Sequence, residues 1–316
     1  MRFVSSVGVR TLALLAGCAA LLSGCSNDAL APAQAPGAPA VRALWSPGNL
    51  LFVSDARRND VRIYDRSSNA PWETIPNVPR PRGLAVDASN NLYVANLSGV
   101  SVYPPPYMKP SAQLALSWRQ AVAVAVSANG MIAAVSARDI FLFPANSQKP
   151  CTDYAPANYS QLTSIAFDSN NNVYFSGTTK SGAAQISEMV ADCSNVSSAQ
   201  LTIGNTLHSA GGLAIGSDGR LSVLDTRART IFTYDPPVDD SLGVPVSTTL
   251  LDKGTVRTPV AFVFDSTGKS ILTADSTSGM VDQFAFPTGG APTGTTMVGG
   301  DPVGVAIVPP YLPKAH

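Results

Sequence analysis

The fold is decided by a phrase that first reads Gly83-Leu-Ala-Val-Asp-Ala-Ser-Asn-Asn-Leu-Tyr-Val-Ala-Asn96. Two runs rich in apolar residues flank a polar turn. This pattern is typical of a β-hairpin, because Asn and Gly tolerate the left-handed backbone of a tight turn. The phrase starts again, with changes, 40 to 49 residues apart, at Ala123, Ser164, Gly212, Ala261 and Gly304. That spacing is the length of one four-stranded blade of a β-propeller.

The two ends of the chain complement each other. The last phrase, Gly304–Val308, contains only the first strand of a hairpin, whereas Asn49–Asp55 supplies a second strand and Val61–Tyr64 a third. Pairing residues 304–308 with the strands of residues 50–64 closes the ring and leaves no free sheet edge. The sequence therefore predicts an all-β, six-bladed β-propeller of four-stranded antiparallel blades over residues 41–316.

The first residues indicate a targeting segment. Arg2 and Arg10 precede the apolar run Thr11–Leu22, which predicts a signal peptide over residues 1–24. The next residues, Leu22-Ser23-Gly24-Cys25, resemble the lipobox of bacterial lipoproteins. The resemblance implies cleavage before Cys25 and a diacylglycerol anchor on its thiol, with further acylation, such as palmitate, of the new amine. An ordinary cleaved signal followed by a chance cysteine is the alternative.

The residues after Cys25 predict where the folded part sits. Residues 25–40 are rich in Ala and Pro, which predicts an extended tether. No Asp follows Cys25, and for the lipoproteins that the motif resembles this favours the outer membrane where two membranes are present. We therefore expect an extracytoplasmic, lipid-anchored propeller in the cell envelope.

One stretch of the propeller resembles a named repeat. Leu51–Asp65 is similar to the NHL repeat, and Leu221–Asp235 and Ile271–Phe286 resemble it more loosely. The resemblance implies a six-bladed propeller and no particular activity, because one fold carries many functions.

Charge excludes one class of partner. The 316 residues carry 21 basic and 21 acidic side chains, and removal of Arg2 and Arg10 leaves 19 basic against 21 acidic. Without a basic excess, we expect no nucleic-acid partner. Membrane contact is predicted only through lipid on Cys25, and the chain is expected to be a monomer.

Two cysteines remain in the predicted propeller. Cys151 and Cys193 are 42 residues apart, nearly one blade, and each follows the third strand of a blade. In an oxidising compartment this predicts a disulfide between neighbouring outer edges. Two unpaired thiols too far apart to bridge are the alternative.

Histidine-based chemistry is limited by the composition. His208 and His316 are the two histidines, so metal sites built on several imidazoles are excluded. The senescence-marker/gluconolactonase family is similar in fold. That family places a metal-binding aspartate at a comparable strand end, and it also needs a glutamate and an asparagine that converge on the channel. Neither Glu73 nor Glu188 stands at a strand start, which argues against a lactonase.

Two groups of polar residues remain as candidate sites. Several second strands end in a carboxylate or an amide, which could together bind a hard cation such as calcium; these residues are Asp55, Asn96, Asp225 and Asp275. Alternatively, each side chain accepts backbone N–H groups and holds the next turn. Arg80 and Arg82 could bind an anion or form a solvated pair. The tryptophans, Trp45, Trp72 and Trp118, are expected to pack between blades.

The sequence favours a binding function over catalysis. We expect a non-enzymatic binding module of the envelope that needs no cofactor, with a protein, glycan or envelope component as its partner. The alternative is a divalent-metal-dependent hydrolase or lyase of the lactonase-like propeller type.

Overall fold

The computed structural model describes residues 48–310, apart from residues 191, 192, 195, 253 and 255. The predicted signal peptide, the tether and Cys25 lie outside the described residues, as do Trp45 and His316. Within the described part of the chain every regular element is a strand. No helix there is long and apolar enough to cross a membrane.

The described residues form twenty-six strands. In chain order they are β1 (Leu50–Asp55), β2 (Asp60–Asp65), β3 (Ala70–Ile75), β4 (Leu84–Val86), β5 (Leu92–Asn96), β6 (Gly99–Tyr103), β7 (Ala112–Leu114), β8 (Ala123–Val126), β9 (Ile132–Val135), β10 (Ile140–Phe143), β11 (Thr152–Tyr154), β12 (Tyr159–Phe167), β13 (Asn172–Thr179), β14 (Ala184–Val190), β15 (Ser198–Gln200), β16 (Thr202–Ile203), β17 (Ala210–Ile215), β18 (Leu221–Asp225), β19 (Thr230–Tyr234), β20 (Ser241–Gly243), β21 (Ser247–Leu250), β22 (Pro259–Phe264), β23 (Ser270–Asp275), β24 (Met280–Ala285), β25 (Gly294–Met297) and β26 (Pro302–Val308).

Twenty-four of these strands form six antiparallel blades of four. From the innermost strand outward, blade 1 is β26-β1-β2-β3, blade 2 is β4 to β7, blade 3 is β8 to β11, blade 4 is β12 to β15, blade 5 is β17-β18-β19-β21 and blade 6 is β22 to β25. The remaining two, β16 and β20, form a short parallel pair.

Blade 1 joins the two ends of the chain. Phe52 of β1 pairs with Ala306 of β26, and Val53 pairs with Val305. The other edge of β1 pairs with β2. The predicted six-bladed propeller, closed by its own termini, is confirmed.

The first turn of each hairpin explains why the phrase repeats. In blade 2, Asp87 Oδ1 accepts the N–H groups of Ser89 and Asn91 at 2.9 and 2.8 Å, while Asn90 adopts a left-handed backbone with φ 64°. Asp168 holds the corresponding turn of blade 4 in the same way. Short polar side chains stabilise such turns by accepting bonds from residues slightly further along the chain.

The core is divided into six apolar clusters, one between each pair of neighbouring blades. Successive side chains of an innermost strand point to opposite faces of the sheet, so each strand serves two clusters. Leu84 and Val86 pack between blades 1 and 2, whereas Ala85 packs between blades 2 and 3. The cluster that contains Leu272 and Val305 joins blade 6 to blade 1 and completes the circle.

Blades 3 and 4 are also linked covalently. Cys151 lies just before β11 and Cys193 follows β14, and a disulfide joins them with their Cα atoms 5.3 Å apart. The bond closes a loop across 42 residues and ties the outer parts of the two blades together.

Candidate functional site

The strand directions define two faces of the ring. On the upper face the chain enters the innermost strand of each blade, and each second strand turns back into the third. The upper face includes loops 76–83, 115–122, 204–209, 256–258 and 298–301 and turns 56–59, 97–98, 136–139, 226–229 and 276–279. On the opposite, lower face the first strand turns into the second, at residues 87–91, 127–131, 168–171, 216–220 and 265–269.

The channel along the axis is narrow and apolar. The innermost strands enclose a cavity of about 160 Å³, and every side chain in its lining is apolar, including Val86, Phe167, Phe264 and Val305. Small-molecule sites usually measure roughly 300–1,000 Å³ and contain a few placed polar groups. The lining of this cavity therefore provides no side chain to coordinate a cation or polarise a substrate.

The predicted cation ligands lie beside the channel rather than in it. Asp55, Asn96, Asp225 and Asp275 end strands β1, β5, β18 and β23, which are the second strands of their blades. Each is therefore one strand spacing, about 4.8 Å, away from the channel wall. Among the described residues no group of three or more His, Cys, Asp or Glu side chains could hold a metal ion.

The carboxylates of this group hold backbone instead. Asp275 Oδ1 accepts the N–H groups of Thr277 and Ser278 in its own turn, at 3.0 and 3.1 Å, and that of Thr258 in the preceding loop at 3.1 Å. Its Oδ2 accepts the N–H of Arg257. These bonds compensate a fully buried negative charge.

Asp55 plays the same part in blade 1. Its Oδ1 accepts the N–H groups of Arg57 and Arg58 and, at 3.2 Å, that of Asp301 in the loop before β26. Its Oδ2 bonds to the Arg58 guanidinium at 3.2 Å. The loop approaches so closely that a Cβ on Gly300 would lie 1.9 Å from Asp55 Oδ2. A side chain there would clash with the carboxylate.

The side chain of Asn96 makes hydrogen bonds only within blade 2 among the described residues. Its Oδ1 accepts the N–H of Ser98, and its amide donates to Ser101 Oγ, each at 2.8 Å. All four candidate ligands thus make the turn-holding bonds that were the alternative interpretation of the sequence.

A side-chain pair in blade 5 was not predicted from the sequence. Asp225 Oδ2 accepts the backbone N–H of His208 at 2.7 Å and lies 3.0 Å from its ring Nδ1. The carboxylate is fully buried, and the His208 side chain is 49% exposed. Within the described residues no hydroxyl or thiol bonds to the ring, so the pair lacks the nucleophile of a Ser-His-Asp arrangement. The available signal was position, because the loop before an innermost strand also reaches the aspartate in blades 1 and 6.

Basic residues concentrate on the upper face. Nine of the fifteen arginines belong to its loops and turns: Arg57, Arg58, Arg80, Arg82, Arg119, Arg138, Arg227, Arg229 and Arg257. Arg220 lies on the lower face and is paired with Asp218 and Asp235 at 3.3 and 2.9 Å.

Part of this set forms a continuous strip over blades 1 to 3, which we call the arginine arc. It consists of Arg57, Arg80, Arg82 and Arg138, with Leu97 and Trp118 between them. All six side chains are exposed. Within the described part of the chain, none of the four guanidiniums forms an ion pair.

Backbone hydrogen bonds hold neighbouring segments of the arc together. Arg80 donates its N–H to Asn59 Oδ1 at 2.8 Å, which joins the loop before blade 2 to the turn of blade 1. Leu97 donates to the carbonyl of Pro79 at 2.9 Å. Ala121, in the loop of Trp118, donates to the carbonyl of Asn96 at 3.0 Å. The predicted pair Arg80 and Arg82 thus lies inside a larger basic surface.

Trp118 corrects the expectation that the tryptophans pack between blades. Its side chain is fully exposed, and that of Trp72 is 38% exposed. The backbone of Ser117 and Trp118 is left-handed, with φ 47° and 69°. This conformation is rare for bulky residues and needs support from its surroundings.

Arg119 supplies that support. Its guanidinium pairs with Asp139 and, at 3.7 Å, with Asp153, and it lies 5.9 Å from the ring centroid of Phe141. Burial raises the pKa of Asp153, with Arg119 opposing and Asp139 adding to the rise. Arg119 therefore fastens the loop to blade 3 and leaves Trp118 pointing to solvent.

The fold and this surface define a six-bladed β-propeller with a narrow apolar cavity between its innermost strands and a basic, partly apolar upper face. No model of a known protein family matches the sequence, and no curated protein sequence matches it.

Similar solved structures share the propeller. One is a chain of the crystal structure of the nidogen/laminin complex, with 15% identity over 82% of this chain and 98% of that chain and a TM-score of 0.65. A second is hydrazine synthase of Kuenenia stuttgartiensis, with 14% identity, coverage of 76% and 81%, and a TM-score of 0.61. A third is a streptogramin B lyase, with 14% identity, coverage of 66% of each chain, and a TM-score of 0.50. At such identities the likeness shows the fold alone.

Proposed function

We propose that this chain is a lipid-anchored, extracytoplasmic lipoprotein that acts as a non-enzymatic binding module of the cell envelope, with its upper face as the binding surface. The observation that carries the proposal is the arginine arc. Its four unpaired guanidiniums share the upper face of blades 1 to 3 with two exposed apolar side chains. Exposed patches of this composition are typical of interaction sites.

The described chain begins away from the proposed binding surface. Leu50 pairs with Asp65 and Val308 at the lower end of blade 1. The NHL-like phrase Leu51–Asp65 fits the use of this fold as a rigid platform.

The geometry gives no support to a metal-dependent hydrolase or lyase. The four candidate ligands hold turns, and the channel lining is apolar. The nidogen/laminin structure is that of a complex, which is in keeping with a binding role for a propeller of this shape.

The anchor is tested by labelling cells with an alkyne fatty acid. We expect the natural chain to be labelled and Cys25→Ser to lose the label and remain as an unprocessed precursor. Cys18→Ser is the matched control, because that cysteine belongs to the predicted signal peptide. Full labelling of Cys25→Ser would show that the anchor is elsewhere or absent.

The binding surface is tested in the same cells with a photo-crosslinking amino acid. At Trp118, on the upper face, we expect discrete adducts of higher mass after illumination. At Met108, which is 65% exposed on the lower side, we expect none. Absence of adducts at Trp118, Leu97 and Arg80 alike would overturn the assignment of the upper face.

A further inference from the structure

We infer that the partner docks on the arginine arc through an acidic protein segment that carries an apolar side chain. The inference rests on the proposed function and specifies the class of its partner. It is carried by three properties of the arc: unpaired positive charge, exposed apolar groups between the charges, and a backbone held in place by neighbouring blades.

The charge of the arc calls for carboxylates. Arg57, Arg80, Arg82 and Arg138 are exposed, and no carboxylate of the described residues pairs with them. Two acidic groups of the upper face are already engaged: Asp55 with Arg58 and backbone, and Asp139 with Arg119 and Ser136. Guanidinium groups bind carboxylates in a two-pronged geometry, which favours Asp or Glu of a partner.

The apolar groups favour a protein over a polysaccharide. Leu97 is 46% exposed and Trp118 is fully exposed, and they lie on segments joined through Asn96. An exposed leucine on the same face as an exposed tryptophan is better covered by an apolar side chain than by a sugar. Tryptophan and arginine are also the residue types that most often dominate binding between proteins.

The overall charge argues against nucleic acid as the polyanion. The chain without its predicted signal carries 19 basic and 21 acidic residues, so it has no general attraction for nucleic acid. A protein segment with a few carboxylates matches the local charge of the arc.

The arc is prepared for binding because its loops are fixed. The Trp118 loop is fastened by Arg119, and the Arg80 loop by Asn59 and Leu97. A surface that is already ordered loses little conformational freedom on binding, which leaves more of the contact energy for affinity.

The test uses the full-length Cys25→Ser precursor, purified without lipid, and a fluorescein-labelled peptide that alternates Glu with Leu and Phe. Fluorescence anisotropy is measured over a salt series, and the control peptide has Gln for every Glu. We expect the acidic peptide to bind at least about tenfold more tightly at low salt and to weaken as salt rises.

Matched variants locate the site. The triple variant Arg57→Gln, Arg80→Gln, Arg82→Gln should lose about tenfold in affinity or more, whereas Lys109→Gln, Lys149→Gln, Lys269→Gln on the lower side should change it less than about twofold. Trp118→Ala should weaken binding about tenfold and Trp72→Ala should not. Because Trp118 is fully exposed, its variant keeps the thermal midpoint of the natural chain.

Each failure has its own meaning. Equal binding of the two peptides, or equal losses in the upper-face and lower-face variants, overturns the acidic-segment inference. Arc-dependent binding of phosphatidylglycerol vesicles or heparin, with no peptide binding, assigns the arc to another anion. In all these cases adducts at Trp118 in cells would still support the proposed function, whereas loss of those adducts would remove its basis.

Discussion

Aspartates hold turns on both faces of the propeller, but over different distances. On the lower face, Asp87, Asp168 and Asp265 accept backbone N–H groups from residues two to five positions further along the chain. On the upper face, Asp55 and Asp275 accept bonds from their own turn and also from a separate loop. The lower aspartates therefore stabilise single hairpins, and the upper ones join two segments.

This difference explains why the upper face can present a fixed surface. The upper aspartates are fully buried, and each fastens the loop that leads into the innermost strand of its own blade. Lower turns are independent of one another and can change without moving a neighbour. The comparison predicts that removal of an upper aspartate costs far more than removal of a lower one.

The largest effect is expected for Asp275→Ala. The change leaves four backbone N–H groups without their acceptor in a buried place, which we expect to cost about 4 kcal/mol of unfolding free energy. Asp265→Ala on the lower face should cost only about 1 kcal/mol, because its turn is open to water. Denaturant titration followed by tryptophan fluorescence measures both free energies. Equal costs would contradict the proposed difference between the upper and lower aspartates.

The next effect concerns the two blades that have neither an aspartate nor an asparagine at the end position of the second strand. Blades 3 and 4 have Val135 and Gly177 at the positions of Asp55 and Asp275, and the disulfide joins these two blades. Replacing Cys151 and Cys193 by Ser should cost about 3 kcal/mol, since the bond closes a 42-residue loop. Addition of reductant to the natural chain should lower the unfolding free energy by a similar amount. No change on reduction would contradict the prediction.

A smaller effect of opposite sign is expected at Asp282 in β24. Its Oδ2 is buried without a partner, and burial raises its pKa, with Asp275 adding to the rise and the Thr295 hydroxyl opposing it. A raised pKa in the folded state favours the protonated form. The contribution of Asp282 to the unfolding free energy therefore falls as pH increases through its folded pKa. Asp282→Asn should therefore raise unfolding free energy by about 1 kcal/mol at neutral pH. The gain should vanish in acid, and a gain that persists below the ordinary aspartate pKa would refute this explanation.

The smallest effect separates side chain from backbone in blade 5. His208→Asn keeps the backbone N–H that bonds to Asp225 and removes only a half-exposed ring. We expect a change below about 0.5 kcal/mol, whereas Asp225→Ala should resemble Asp275→Ala. Thermal melts of the two variants give the comparison, and a large effect of the histidine would assign it a role beyond that of its backbone.

The sequence predicted the repeated architecture because the repeat is local. Each hairpin carries its own turn residues, such as Asp87 and Asn90, and the half-phrase Gly304–Val308 needed a partner strand. The surface was not predictable in this way. Trp118 is exposed because Arg119 reaches Asp139 and Asp153, which are distant in sequence, and no periodic pattern encodes that contact.

The contacts of the four candidate cation ligands were not predictable for a related reason. Asp55, Asn96, Asp225 and Asp275 do occupy equivalent ends of strands, as their spacing suggested. Strand position within a blade decides the rest, because second strands lie behind the channel wall. Sequence spacing gives the level along a strand, and the neighbouring loops determine what each carboxylate contacts.

Closure by β26 has a consequence for how the protein is made. The partner of β1 is β26, some 250 residues away, so blade 1 stays incomplete until residues 302–308 have been synthesised. Contacts this distant form slowly, because a long loop must close first. A chain that cannot finish its fold early remains threadable for longer, which suits the export across a membrane that we propose.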